Sequence, residues 1–389
     1  MHKTSKMKQT AKRLDNVQEY YFSKKLREVS QRIQMGQPII NMGIGSPDLP
    51  AHPSVIDALR NALSHPKAHM YQSYQGLPEL RQGISKFYKI HYQVELNPNS
   101  EVLPLMGSKE GIMHISMAVL NPKDEVLIPN PGYPTYASVS RLMEAEPIFY
   151  SLSERNNWQP DFEALNDLDT SRVKIMWVNY PHMPTGTDVN VDTFDRLISW
   201  AKEREILLIN DNPYSFLLTE KPQSILSRPG AKEVALELNS LSKSFNMAGW
   251  RVGMLSGKAS TIQAVLKVKS NMDSGMFFGI QQGGIAALKM DTSWFTELNG
   301  VYLKRRALVE KLAIRLGAKF EPNSVGLFVW AKLPEGVSDS EAYIDKILND
   351  KHVFITPGTI FGSQGEGYIR FSLCVNEQTI EEVLKRFES

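Results

Sequence analysis

The chain of 389 residues has a single cysteine, Cys374, so no intrachain disulfide can form. Cys374 lies in the apolar run "IRFSLCV" and reads as a small core residue. No apolar stretch reaches the roughly 18 residues of a membrane span. The first 30 residues lack the apolar region of a signal peptide, and a reducing, cytoplasmic compartment is the expectation. Charge of one sign is also missing. The formal net charge is +2, which gives no ground for nucleic acid or an anionic membrane as a partner. The eight histidines are scattered, with no His/Cys group at metal-ligand spacing. No G-x-S-x-G elbow occurs. "GIGSPD" (Gly43 to Asp48) lacks the third glycine and the strand–helix setting of a dinucleotide fingerprint. Ser240-Leu241-Ser242-Lys243 matches the S-x-x-K of serine acyl-transferring enzymes, but the S-D-N and K-T-G elements of that class are absent.

What is present is ample apolar sequence, 42% of residues, on a chain longer than one typical core. Between residue 101 and about 290, short β-rich runs alternate with amphipathic helical stretches. Among the runs are "DEVLIP", "VKIMWVNY", "EILLIND" and "VALELNSLS". Such alternation predicts an α/β fold: a mostly parallel sheet between helices. No helical pattern separates "VALELNSLS" from "RVGMLSG", so that pair is expected to be antiparallel. Residues 293–317 read as one long helix, in which Gly300 costs about 1 kcal/mol. A strand–helix–strand–helix tail follows. The expected division is an N-terminal arm and part of the small domain at 1–50, a large domain at 51–290, and a smaller α/β domain at 291–389.

Ligands of an open α/β sheet bind at the carboxyl ends of its strands, so the residues just after each run carry the chemistry. Gly107, Ser108 and Lys109 open a helix after a strand, a setting suited to a phosphate. Ser108 alone would read as a simple helix cap. Arg251, placed on the strand after Lys243, could pair with the same phosphate. Asp211 ends "EILLIND", and a buried carboxylate needs a cationic partner such as a pyridinium nitrogen. Tyr214, three residues on, could donate to a phenolic oxygen, and Tyr133 could stack on an aromatic ring. Lys243 stands where a run ends, as an amine held for nucleophilic work would. Together these parts suit pyridoxal phosphate held as a Schiff base on Lys243.

The stretches "NMGIGSPDLP", "YQSYQGLPELR", "GSKEG", "NPGYPTY", "PTG", "NDNPY", "SLSKSFNMAGWRVG" and "YIRFSL" occur in order along nearly the whole chain. With them the chain resembles the fold-type-I, class I/II aminotransferases, and within these the LL-diaminopimelate aminotransferase branch. The resemblance implies pyridoxal 5'-phosphate as cofactor, with an L-amino acid, LL-diaminopimelate-like or of the aspartate/glutamate type, and a 2-oxo acid as substrates. It implies Lys243 as Schiff-base lysine and proton shuttle, Asp211 at the pyridine nitrogen, and Tyr214 at the 3'-oxygen. Ser108, Lys109, Ser240, Ser242 and Arg251 would surround the phosphate, with Tyr133 on the ring. Arg370 would clamp the substrate α-carboxylate, with Gly45 in the same pocket and Tyr20 near the substrate. Tyr71 would reach the neighbouring subunit's phosphate, which implies a homodimer. The same cofactor and lysine also serve C–S β-lyases, and a non-catalytic cofactor-binding protein is a further alternative.

Two departures from the family pattern stand out. Asn212 replaces the branch's usual alanine, and "PHMPTG" replaces "PNNPTG". The second puts Met183 where the family has an asparagine that donates to the cofactor's 3'-oxygen. A thioether cannot donate. Either His182, Asn179 or water supplies the donor instead, or Tyr214 alone does so.

Overall fold

In the computed structural model, which describes residues 10–16 and 21–388, a seven-stranded sheet forms the centre of the larger part. Its order from edge to edge is Val102–Leu105, Gly253–Gly257, Ala235–Ser240, Leu207–Asp211, Val173–Val178, Glu125–Asn130 and Glu146–Ser151. The last five are mutually parallel. Gly253–Gly257 runs against both of its neighbours, as the missing crossover helix in the sequence implies.

Most of these strands are buried on both faces, so their residues feed two cores alternately. Leu208 packs with Leu80, Phe87 and Trp200 on one face. Its neighbour Ile209 packs with Ile112, Trp177 and Leu236 on the other. Helices cover each face. Val191–Glu203 starts where Asn190 accepts from the Asp192 N–H at 3.1 Å. Satisfying such an exposed end group is worth about 1 kcal/mol.

The helix Thr292–Arg315 is continuous, with Asp291 capping its start. Gly300 faces open space, so the helix tolerates it. Beyond lies a four-stranded antiparallel sheet in the order Thr356–Pro357, Tyr368–Ser372, Phe328–Lys332, Lys319–Phe320. Ile40–Asn41 pairs in parallel with Val353–Phe354 as a separate two-stranded sheet, and the Ser372 N–H donates to the Met42 carbonyl at 2.8 Å, which ties residues near the N-terminus to the four-stranded sheet. The core here includes Leu327, Val329, Phe354 and Phe371, and takes in Met183, Tyr214 and Leu217 from loops of the larger sheet. Cys374 is buried in the same core.

One buried group breaks the apolar pattern of the central strands. Glu237, in Ala235–Ser240, is fully buried. It accepts from Ser224 Oγ (2.8 Å), the Ile225 N–H (3.1 Å) and Asn210 Nδ2 (3.2 Å). Burial raises its pKa above the ordinary glutamate value, and those hydrogen bonds offset the rise only in part. A carboxyl group with a raised folded pKa contributes stability that is whole below its unfolded pKa and is lost as pH rises through the folded one. Glu237→Gln keeps the shape and can keep the acceptor toward Ile225 and Asn210. It should therefore melt higher than the parent at pH 8, with little difference at pH 4. Thermal melts of both proteins at the two pH values check this; an equal gap at both would remove the ionisation from the account.

Candidate functional site

The strand ends of the larger sheet meet the edge of the smaller one around a cavity of about 340 Å³. Its walls include Gly45, Ser108, Lys109, Tyr133, Asp211, Tyr214, Ser240, Ser242, Lys243, Arg251 and Arg370. Eleven of the thirteen residues singled out from sequence are thus brought together. Tyr71 is not among them. It is 91% exposed and lies beside Phe277 in a separate surface hollow. Tyr20 lies outside the described residues.

Lys243 sits in a one-turn helix, Leu241–Ser244, directly after the strand Ala235–Ser240. Ser240 caps that turn through the Ser242 N–H at 3.0 Å, and the two serine hydroxyls bond at 2.8 Å. The Lys243 amine donates to the Gly45 carbonyl at 2.6 Å. Removal from water lowers its pKa, with the charges of Arg370 and Arg251 acting the same way.

The Gly45 carbonyl is held in place by the smaller sheet. Ser372 Oγ donates to the Ile44 carbonyl (2.7 Å), and Thr356 Oγ1 to the Gly43 carbonyl (3.1 Å). Arg305, in the long helix, grips Asp48 with both ends of its fork at 2.6 and 2.9 Å. Glycine is required at 45 because a Cβ there would collide with the Phe328 ring. "GIGSPD" is therefore a structural strap across the cavity.

At the opposite wall the helix Ser108–Val119 begins. Gly107 takes the cap position, with φ of 93° and no side-chain cap. Ser108 is thus the first helical residue and not the cap, and the first-turn N–H groups are left for a ligand. A Cβ on Gly107 would strike the Arg251 guanidinium, and one on Gly253 would come within 2.7 Å of the Ser108 nitrogen. Two absent side chains let an arginine and a bare helix start converge. Arg251 itself is not on a strand. It occupies a left-handed turn (φ 55°), two residues before Gly253–Gly257 begins, held by its bond to the Ala248 carbonyl at 3.0 Å. The turn, not strand geometry, aims it at the helix.

Asp211 ends its strand buried. Tyr136 donates to its Oδ2 at 2.8 Å, while Oδ1 has no partner. Burial pushes the Asp211 pKa up to about 6 despite the Tyr136 bond. An orphaned, desolvated carboxylate oxygen facing a cavity fits a cationic N–H donor. With the anion cradle on the far side, the residues fit pyridoxal phosphate: a ring nitrogen at one end and a phosphate at the other.

Sequence reasoning missed Tyr136, which stacks on Trp177 at 4.8 Å and sits edge-on to Tyr133 at 5.6 Å. "NPGYPTY" contains it, three residues after Tyr133 and in the first turn of the helix Thr135–Leu142. Phe328, Ile360 and Phe361 also line the cavity, and nothing local in their sequence marks them. Met183 is buried at the wall. Of its suggested substitutes, His182 does not line the cavity, and burial pushes its pKa down to about 3. The Asn179 side chain is engaged by backbone, donating to the Asp211 carbonyl and accepting from the Met183 N–H.

Away from the cavity, ligand atoms of Glu110, His114 and Asp273 lie within 4.8 Å of one another. Both Asp273 oxygens already accept from the Lys269 ammonium at 2.8 Å, so a side-chain cation answers the carboxylate there.

Residues 37–387 match the family described as aminotransferase class I and II. An LL-diaminopimelate aminotransferase of Aquifex aeolicus is 37% identical over 97% of this chain and 98% of its own. One of Oleidesulfovibrio alaskensis is 39% identical over 97% and 98%. Among solved structures, substrate-bound BacF from Bacillus subtilis superposes with a TM-score of 0.93, at 35% identity and 98% coverage of both chains. The fold, the cavity and these likenesses agree: the chain belongs to the class I and II aminotransferases, enzymes that work with pyridoxal 5'-phosphate.

Proposed function

We propose that this aminotransferase takes the amino group from an LL-diaminopimelate-like amino acid and passes it to a 2-oxo acid, with the residues of the cavity in the following roles. The observation that carries the reading is the meeting, in one cavity, of the Lys243 amine, the orphaned Asp211 oxygen and the Arg370 guanidinium. Support for the donor comes from the shared name of relatives 36–39% identical along nearly the whole chain.

When bound, pyridoxal phosphate supplies an electron sink for the pair left at the substrate α-carbon. Lys243 would anchor it covalently and would hold the proton that leaves the substrate α-carbon. Burial aids this by favouring the neutral amine. Asp211 Oδ1 would meet the ring nitrogen, Tyr214 the 3'-oxygen, and Tyr133 the ring face. Ser108, Lys109, Ser240, Ser242 and Arg251 hold the phosphate. Arg370 would take the α-carboxylate beside Gly45. A guanidinium suits this task because its two N–H donors match two carboxylate oxygens.

The working unit in this reading is a cytoplasmic homodimer whose division into domains falls near residues 50 and 290. Tyr71 then crosses to the partner's phosphate. Its exposure supports this, as does the exposed apolar surface beside it, Met70 and Phe277.

Mixing the loaded enzyme with single amino acids and no oxo acid tests the reaction. An aminotransferase stops after one turnover and a β-lyase continues. A screen including LL-diaminopimelate, aspartate, glutamate, methionine and aromatic amino acids ranks the donors. A leading rate with anything but LL-diaminopimelate would overturn the proposed donor.

Lys243→Ala should abolish transfer while still holding the cofactor through its phosphate. Borohydride should fix the cofactor to the peptide containing Lys243, and label on another lysine would overturn the assignment.

Asp211 carries a sign that can be checked without catalysis. Its pKa rises from 3.8 to about 6 on folding without cofactor. The stability it contributes is whole below the lower value and lost as pH climbs through the higher, a penalty of about 3 kcal/mol at pH 8. The Asp211→Asn apoprotein should therefore melt above the parent apoprotein at pH 8 but not at pH 4, yet bind the cofactor more weakly. Equal melting at pH 8 would contradict the buried, unpaired carboxylate.

Tyr71 is tested by mixing. Tyr71→Ala and Lys243→Ala homodimers should each be nearly inactive. Co-expressed, they should recover about a quarter of parental activity, because one site in a mixed dimer escapes both changes. No recovery would mean that Tyr71 serves its own chain.

A further inference from the structure

Among the described residues, four contacts hold Arg370. Its guanidinium carbon lies 3.9 Å from the centre of the Phe328 ring and 4.6 Å from that of Phe361. These two rings fix the plane of the group. Rotation within that plane is set by hydrogen bonds. Nη2 donates to the Gly43 carbonyl at 2.8 Å, and Nη1 points at the Met183 sulfur at 3.4 Å.

Three of these four contacts come from the smaller sheet and the strap packed on it. Met183 alone comes from the larger sheet, in the loop after Val173–Val178. Its N–H donates to Asn179 Oδ1 at 2.9 Å, and Asn179 Nδ2 donates to the Asp211 carbonyl. The sulfur is thus the last link of a chain that starts at the strand end carrying Asp211 and finishes on the guanidinium. Met183 is 7% exposed and lines the cavity, so this link lies in the wall where substrate binds. A thioether accepts weakly, so it can orient Nη1 without neutralising its charge as a carboxylate would.

We propose that Met183 is a positioning residue for substrate binding: its sulfur, acting as acceptor, sets the rotation at which Arg370 meets the substrate carboxylate. The proposal rests on the reading of Arg370 as the carboxylate clamp. If Met183 only fills space, volume alone matters and the acceptor is irrelevant.

The test compares cofactor-loaded parent, Met183→Leu, Met183→Gln and Arg370→Lys. The probe is propionate, a carboxylate without an amine, titrated by its effect on the absorbance of the bound cofactor. KM and kcat with the best donor from the screen accompany it. Met183→Leu keeps the volume and loses the acceptor. Its propionate Kd and its KM should both rise roughly three- to tenfold, the scale of one weak hydrogen bond, with kcat changed much less. Met183→Gln restores an acceptor at similar reach and should return the Kd to within about threefold of the parent. A Kd for Met183→Leu equal to the parent's, beside an Arg370→Lys enzyme that binds propionate at least tenfold more weakly, overturns the proposal and leaves the clamp standing. Met183→Gln as impaired as Met183→Leu also overturns it, since shape would then decide. An unchanged Kd in Arg370→Lys removes the clamp, and the proposal with it. Should Met183→Leu not load with cofactor, Met183→Ile takes its place as the sulfur-free variant.

Discussion

An amine and a carboxylate are withdrawn from water in the same cavity, and the rest of the architecture answers that constraint. Neither group tolerates desolvation unless a partner waits at a fixed distance. For Lys243 the partner is the Gly45 carbonyl at 2.6 Å. For Asp211 it is Tyr136 on one oxygen, with the other left over. The two pKa values move in opposite directions, the lysine down and the aspartate up, and burial is the leading cause of both. A site whose burial favours the neutral lysine and the protonated aspartate suits a ligand that brings its own charges: a cationic ring nitrogen and an anionic phosphate.

Strand ends concentrate such groups because each parallel strand stops at the same edge, where backbone turns away and side chains face a shared crevice. Two glycines deepen that crevice. Without a Cβ at 107 or 253, the Arg251 guanidinium and the start of Ser108–Val119 can lie against each other. Positive charge from a side chain and partial positive charge from a helix end then add at one point. The cradle therefore depends as much on atoms that are missing as on those that are present.

How much of this is visible in sequence varies with how local the cause is. The alternation of runs and the lack of a crossover before "RVGMLSG" imply a mostly parallel sheet with one antiparallel pair, because periodicity and connection length are local properties, whereas the order of the strands is not. Lys243, Asp211 and Ser108 are legible for the same reason: each directly follows an apolar run. Arg251 was placed on a strand because its neighbours read as one. It instead takes a left-handed backbone at the end of the turn Ala248–Trp250, with its guanidinium against Gly107, which no local pattern announces. Tyr136 looks like any core aromatic until its hydroxyl is seen against Asp211, 75 residues away. Phe328 arrives from the smaller sheet and Ile360 and Phe361 from the turn between two of its strands, and only tertiary structure brings them to the wall. "GIGSPD" was rightly set aside as a dinucleotide site, yet its role as a strap depended on Arg305, Thr356 and Ser372, all more than 250 residues on.

That strap has a bearing on how such a chain can change over evolutionary time. The acceptor for the reactive amine sits on a segment near the N-terminus, anchored by residues from the C-terminal third, while the amine itself belongs to the central sheet. Three distant stretches of sequence must therefore vary in concert. A small sheet transplanted from another relative would bring its own grip on residues 43–48, and with it a different seat for the Lys243 nitrogen. The two sheets look like separable modules, yet the position of one nitrogen atom makes them a single heritable unit.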